Sequence, residues 1–139
     1  MSATNVRELR ADTNHSIIDN ESELQNNWDT NSLLITKEED MNRFKQNISQ
    51  AVSDWRPVEF SRQFVSLISV VVPAKNTLVP KKIELQEDRC YYKLHIDENK
   101  STDPDLPDPY VFNIVNLWNL NGHRTPTRIS VNINEKHSQ

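Results

Sequence analysis

Residues 110–122 read YVFNIVNLWNLNG and join a strand pattern to a turn signal. Aromatic and β-branched side chains dominate Tyr110–Leu120, as they do in the strands of a sheet. Asn121–Gly122 follows directly, and this dipeptide favours the positive φ angles of a tight turn. Gly122 is the only glycine in the chain, so the most permissive backbone position comes immediately after this strand.

The scarcity of glycine excludes several kinds of ligand site. Phosphate-binding loops, dinucleotide fingerprints and nucleophile elbows need glycine where the backbone approaches a ligand closely or adopts positive φ. A chain with one glycine contains none of these motifs. We therefore predict a protein that is not an enzyme and that has no cofactor.

The cysteine, histidine and aspartate residues do not form the sequence pattern of a metal or catalytic site. Cys90 is the only cysteine, and it lies on the apolar side of an alternating stretch, which predicts a buried, unreactive thiol. His95 lies on the opposite side of the same stretch, which predicts an exposed histidine. Asp103, Asp105 and Asp108 are separated by prolines, which prevent the close turn of a calcium-binding loop. The sequence therefore predicts no metal site.

The negative charge of the chain is concentrated at its N-terminus. Residues 1–34 carry six acidic and two basic side chains, which account for the whole formal charge of −4. The balance in the remainder argues against a general affinity for nucleic acid or anionic membranes, which need a surplus of Lys and Arg. No run approaches the ~20 apolar residues of a spanning helix, and the first residues lack the apolar stretch of a secretion signal. We expect a soluble, intracellular protein that does not bind membranes.

Three segments differ in composition. Residues 1–34 are rich in Asn, Asp, Glu, Ser and Thr, and without a sustained hydrophobic period they predict a flexible acidic tail. Residues 35–135 carry the periodic patterns of a folded domain. Residues 136–139 are expected to form a frayed C-terminus.

A helix is predicted at the start of the domain. Thr36 and Glu39 have the spacing of a capping box, which satisfies free backbone N–H groups at a helix N-terminus. Apolar residues then recur at steps of three and four, which gives one helical stripe. The stripe consists of Met41, Phe44, Ile48, Ala51 or Val52, and Trp55. Pro57 ends the pattern.

Beyond Pro57 the hydrophobic period becomes that of strands. Strand segments are predicted at residues 58–72, 82–86, 89–96, 110–120 and 127–134. The loop between residues 97 and 109 is predicted from three prolines and five acidic side chains. We therefore predict an α+β domain, with one N-terminal amphipathic helix packed on an antiparallel sheet of four or five strands.

Residues 58–72 carry apolar side chains on both sides of the predicted strand. Val65, Leu67 and Val71 lie off the main apolar side, so the strand is predicted to be central or covered on both faces near its end. One helix cannot easily cover both faces of such a sheet. We therefore also expect an uncovered apolar patch that marks an interface.

Protein interaction is the function that fits these features best. The leading prediction is a non-catalytic interaction module, or a small subunit of a larger assembly, that binds another protein or a second copy of itself. It would bind through the N-terminal tail and an exposed sheet face. The candidate partner-binding residues are Leu24, Trp28, Leu33, Leu34, Leu106 and Tyr110. An equally open interpretation is that Trp28, Leu33 and Leu34 fold back onto their own domain.

The alternative is a single-stranded nucleic-acid-binding protein. Proteins of that class stack bases on aromatic side chains of a sheet and hold phosphates with cations. Tyr91, Lys93 and His95 share one face of a predicted strand, and Arg124 and Arg128 flank a predicted hairpin. These five residues are the candidate nucleic-acid contacts.

Overall fold

The chain folds into two facing β-sheets in the computed structural model, which describes residues 3–18, 26–41, 58–97, 105 and 107–135. Seven strands follow one another along these residues. They are β1 (Thr4–Thr13), β2 (Thr30–Ile35), β3 (Gln63–Val72), β4 (Thr77–Gln86), β5 (Arg89–Asp97), β6 (Tyr110–Asn119) and β7 (Arg128–Glu135).

The two sheets differ in how their strands pair. The four-stranded sheet has the order β1-β6-β3-β2 and is antiparallel throughout. The three-stranded sheet has the order β4-β5-β7, in which β4 is antiparallel and β7 parallel to β5. Asn121 and Gly122 have φ angles of 50° and 83°, so the predicted positive-φ turn is confirmed. The chain then passes to the facing sheet, and β6 and β7 do not form a hairpin.

The main core lies between the sheets. Strand β5 alternates buried and half-buried residues along its whole length, as its sequence predicts. Its buried residues are Cys90, Tyr92, Leu94 and Ile96. They pack with inward side chains of β3 and β6, where the rings of Phe64 and Trp118 stack with centroids 5.9 Å apart. The strand assignments of β5 and β6 are therefore confirmed.

A second apolar cluster covers the outer side of the four-stranded sheet. Val65, Leu67 and Val71 of β3 are at most 3% exposed. Val65 and Leu67 pack with Ile17 and Met41, which lie outside the strands. The prediction that this strand is central or covered on both faces near its end is confirmed, since the strand is both. These three positions therefore do not form the uncovered patch that we expected.

The predicted α+β fold is wrong. Strands account for 61% of the described structure and helix for 4%, with no helix of seven residues or more there. The helical turn at residues 38–41 follows β2, and the backbone N–H of Met41 donates to the carbonyl oxygen of Lys37 at 3.2 Å. The inward face of the four-stranded sheet is covered by a second sheet, so it needs no helix. The rest of the predicted helix, residues 42–57, lies outside the described residues.

Strand β1 and all of β2 except Ile35 lie inside the segment predicted as a flexible acidic tail, so the structure differs from that prediction. Strand β1 pairs with β6 from Thr4, opposite Asn119, to Thr13, opposite Val111. Four of its ten residues are charged, and they hide the alternation of apolar and polar residues by which a strand is recognised in a sequence. Backbone pairing at the edge of a sheet, rather than apolar burial, holds such a strand in place.

Strand β4 is longer than predicted. It begins at Thr77 rather than Lys82 and includes Pro80. Proline lacks a backbone N–H and is tolerated in sheets mainly at edges and irregular positions. Both conditions hold here, because β4 is an edge strand and its pairing with β5 shifts register between Pro80 and Lys82.

Candidate functional site

The three-stranded sheet turns a polar side away from the core. Its central strand is β5, and side chains alternate in a strand, so the residues between the buried positions point outward. These outward residues are Arg89, Tyr91, Lys93, His95 and Asp97, and each is half-buried. We call this side of the sheet, together with the outward residues of β4 and β7, the basic face.

Strand register brings cationic side chains together on the basic face. Arg89 of β5 lies opposite Arg128 of β7, and Lys93 of β5 lies opposite Lys82 of β4. The charged residues of the face are Lys82, Glu84, Arg89, Lys93, Asp97 and Arg128. Four of the six are cationic, so the face has a local surplus of positive charge in a chain whose formal charge is −4.

Contacts from its own strand and from β7 position Tyr91 near the middle of the face. The guanidinium of Arg89 lies over the Tyr91 ring, 5.1 Å from its centroid. Nη2 of Arg89 also donates to Oε1 of Gln86 at 2.6 Å. From the other side, Nδ2 of Asn132 donates to the Tyr91 hydroxyl at 3.5 Å. The face therefore presents an oriented aromatic ring among cations.

Ion pairs neutralise only part of the positive charge. Nζ of Lys82 lies 4.0 Å from Oε1 of Glu84, and Nη2 of Arg128 lies 3.5 Å from Oδ1 of Asp88. Lys93 makes no ion pair with any residue in the described part of the chain. Exposed ion pairs of this kind contribute at most about 1 kcal/mol. These two ion pairs therefore contribute little to the stability of the fold.

The structure brings together most of the residues predicted to contact nucleic acid. Tyr91, Lys93, His95 and Arg128 all belong to the basic face. Arg124 is exposed in the connection between β6 and β7. Because those two strands lie in different sheets, the predicted hairpin flanked by Arg124 and Arg128 is wrong.

The described residues among those predicted to bind a protein partner do not belong to the basic face but pack within the domain. Trp28 and Leu34 pack against the main core, and Leu33 packs against the second cluster. Tyr110 is 2% exposed, and its hydroxyl donates to a backbone carbonyl oxygen before β4 at 2.6 Å. Folding back onto the domain thus accounts for the contacts of these four residues. Two further candidates, Leu24 and Leu106, lie outside the described residues.

Sequence reasoning missed a buried polar cluster between the sheets. The Tyr92 hydroxyl donates to Oδ1 of Asn116 at 2.7 Å, and Nε1 of Trp118 donates to Oγ of Ser66 at 2.9 Å. The hydroxyls of Ser66 and Tyr92 also share a hydrogen bond. Ser66 and Asn116 are cross-strand neighbours on β3 and β6. The signal in the sequence is Ser66, a polar residue on the main apolar side of its strand.

This cluster lacks the chemistry of a catalytic site. Burial raises the pKa of the neighbouring Cys90 thiol to about 11, and it raises the pKa of Tyr92 well above its ordinary value. Both groups are therefore protonated at neutral pH, so neither supplies a nucleophile or a base. The predicted burial of Cys90 is confirmed, since its exposed fraction is 0%.

Metal-binding side chains do not converge in the described ranges. No group of three or more His, Cys, Asp or Glu residues lies close enough there to hold a metal ion. The same residues contain no helix that is both long and apolar enough to cross a membrane.

The basic face is identified from its geometry and charge alone. No family model, no curated protein and no solved structure matches the chain.

Proposed function

We propose that this protein is a non-catalytic interaction module, or a small subunit of a larger assembly, that binds an acidic surface of a partner protein through its basic face. The proposal is supported by the convergence of Lys82, Arg89, Lys93 and Arg128 on one outward side of a sheet. Strand pairing fixes the spacing of their backbones before a partner arrives. This preorganisation lowers the entropy that is lost on binding.

The charge pattern of the face favours a protein as the partner. Glu84 and Asp97 lie on the same face as the cations, and such a mixed pattern selects a partner whose charges are arranged to match. Nucleic acid presents uniformly negative phosphates, which these two carboxylates would repel. Tyr91 adds an aromatic side chain, a residue type that is enriched in protein interfaces.

Single-stranded nucleic acid is the second candidate ligand of the same face. The observation that favours it is the grouping of Tyr91 with Arg89, whose guanidinium lies 5.1 Å from the ring centroid, and with Lys93 on the same strand. An aromatic ring among cations is how sheet proteins bind single strands. Such binding would weaken steeply as salt is raised, because neutralised phosphates release counterions.

The N-terminal residues give a less specific test of the proposal. Trp28 and Leu33 pack against the cores of the domain, so replacing them would change stability as well as binding. Lys93 is half-buried on the sheet surface and makes no ion pair with described residues. Reversing its charge changes the face while leaving the core intact.

The test compares tagged wild-type protein with the variants Lys93→Glu and Lys37→Glu, each recovered from the native host with and without nuclease. Lys37 is exposed just after β2, so its reversal makes the same charge change away from the basic face. Loss of a stoichiometric protein partner in Lys93→Glu alone supports the proposal. Nuclease-sensitive recovery of nucleic acid, lost in the same variant, supports the second candidate. Equal recovery from all three proteins contradicts both.

A further inference from the structure

Among the described residues, strand β7 forms an edge of the three-stranded sheet that lacks most of the usual protection against pairing. A free strand edge can pair with another strand, and proteins block this with short edges, bulges, prolines or charged side chains, especially lysines. The edge strand β1 has a register shift between Asn5 and Arg7, and β4 has Pro80 with a shift beside it. The edge strand β2 has only six residues.

In β7 the charged residues, Arg128 and Glu135, are confined to the two ends of the strand, and its middle has none of these devices. The strand has eight residues without proline or lysine, and it pairs with β5 in an unbroken register. Among the described residues, β5 is its only partner within the sheet. The backbone groups on its other side are therefore a template for one more strand.

The polarity of β7 is symmetric about Val131. Ile129, Val131 and Ile133 face inward and pack against the main core. Ser130 and Asn132 face outward on either side of the same centre. Such a strand can pair antiparallel with a copy of itself while keeping apolar residues on the inner side and polar residues on the outer side.

We propose that two copies of this chain associate by antiparallel pairing of their β7 strands about a twofold axis at Val131. In this register Ile129 lies opposite Ile133 of the second copy, and Ser130 lies opposite Asn132 of the second copy. The two three-stranded sheets become one continuous sheet of six strands, in the order β4-β5-β7-β7-β5-β4. The interface is isologous, so every contact occurs twice.

Charge supports a second copy as the occupant of this edge. Arg128 and Glu135 are the only charged residues of β7. In this register Arg128 would lie opposite the neutral Asn134 of the second copy, and Glu135 would lie opposite the neutral Thr127. Arg128 is also paired with Asp88 of its own chain at 3.5 Å. No like charges face each other in this register, whereas like charges directly opposite would destabilise the pairing.

Two double variants test the proposed register. In Ser130→Lys/Asn132→Lys each lysine faces a lysine of the second copy, whereas in Ser130→Lys/Asn132→Glu each lysine faces a glutamate. Sedimentation velocity of the purified full-length proteins, from about 1 to about 100 μM, measures the dimer dissociation constant of each. We expect about a tenfold weaker dimer for the Lys/Lys variant and a constant near that of wild type for the Lys/Glu variant.

Other outcomes overturn the proposal. A wild-type protein that stays monomeric over this range excludes the pairing, as does equal weakening or equal persistence of the dimer in both variants. Far-ultraviolet circular dichroism confirms that both variants keep the strand content of wild type. The test uses purified protein alone, so its result is independent of whether the basic face binds another protein.

Discussion

Tyr92 and Asn116 come from facing sheets, and the Tyr92 hydroxyl donates a hydrogen bond to Oδ1 of Asn116 at 2.7 Å. Both residues are buried, with an exposed fraction of 0%. Asn116 lies opposite Ser66 on the next strand, and Ser66 also bonds Tyr92. The Tyr92 hydroxyl thus links β5 of one sheet to β3 and β6 of the other, and it helps to set the relative position of the two sheets.

Replacing Tyr92 with Phe should lower the free energy of unfolding by about 1–3 kcal/mol, because Oδ1 of Asn116 loses its donor in a site without water access. Urea unfolding followed by tryptophan fluorescence measures this change. Tyr91→Phe is the matched control, since its hydroxyl lies on the outward side of the same strand. We expect the control to change stability by at most about 0.5 kcal/mol. Equal effects of the two substitutions would contradict a structural role for the cluster.

Asn113 should hold the segment that follows β1 against the four-stranded sheet. Its Oδ1 accepts from Oγ of Ser69 at 2.6 Å and from the backbone N–H of Ile17 at 3.1 Å, and its Nδ2 donates to the carbonyl oxygen of Ala11 at 3.1 Å. Asn113→Ala removes the acceptor of the buried Ile17 N–H and of the Ser69 hydroxyl, so we expect a loss of about 1–3 kcal/mol. Hydrogen exchange should accelerate first at Ile17 and its neighbours.

Asn134→Ala is the control for this prediction, because Asn134 is an exposed asparagine on β7. It should change stability by at most about 0.5 kcal/mol and leave exchange at Ile17 unaltered. If Asn113→Ala lowered stability without faster exchange near Ile17, the anchoring role of Asn113 would be refuted.

Alkaline pH should destabilise the fold. Burial raises the pKa of the Cys90 thiol from 9.0 to about 11. Burial, with the charge of Asp12 as a second cause, raises the pKa of Tyr110 from 10.0 to about 12. The unfolded chain therefore loses these protons at lower pH than the folded chain does. The stability they contribute is complete below about pH 9 and is lost as the pH rises through the folded pKa values.

Unfolding free energies measured in urea from about pH 8 to about pH 11 check this dependence. Cys90→Ala should be less stable than wild type at every pH, but its stability should fall less steeply above about pH 9. A stability that stays constant up to about pH 11 would show that neither group is protected by burial.

The sequence predicts the parts of the fold that local patterns determine. The alternation of Cys90 and Tyr92 with polar residues identifies β5, and Asn121–Gly122 identifies the turn after β6. The pairing partners are not local properties. Arg128 pairs with Arg89, 39 positions away along the chain, and no residue pattern in β7 indicates β5 rather than β6 as its neighbour.

The basic face was only partly predictable, because the sequence does not show which strands pair with each other. The shared side of Tyr91, Lys93 and His95 follows from the alternation of one strand. The approach of Lys82 and Arg128 to them depends on the order β4-β5-β7. The expected α+β fold is wrong because, in the part of the chain that the structure describes, a second sheet rather than a helix covers the inward face of the four-stranded sheet.

The measurement that tests the central claim most directly is the amount of partner protein recovered with wild type, Lys93→Glu and Lys37→Glu from the native host. We predict that Lys93→Glu retains about a tenth or less of the wild-type amount, because a repulsive contact replaces an attractive one at the centre of the basic face. Lys37→Glu should retain the wild-type amount. Undiminished recovery with Lys93→Glu would contradict binding through this face.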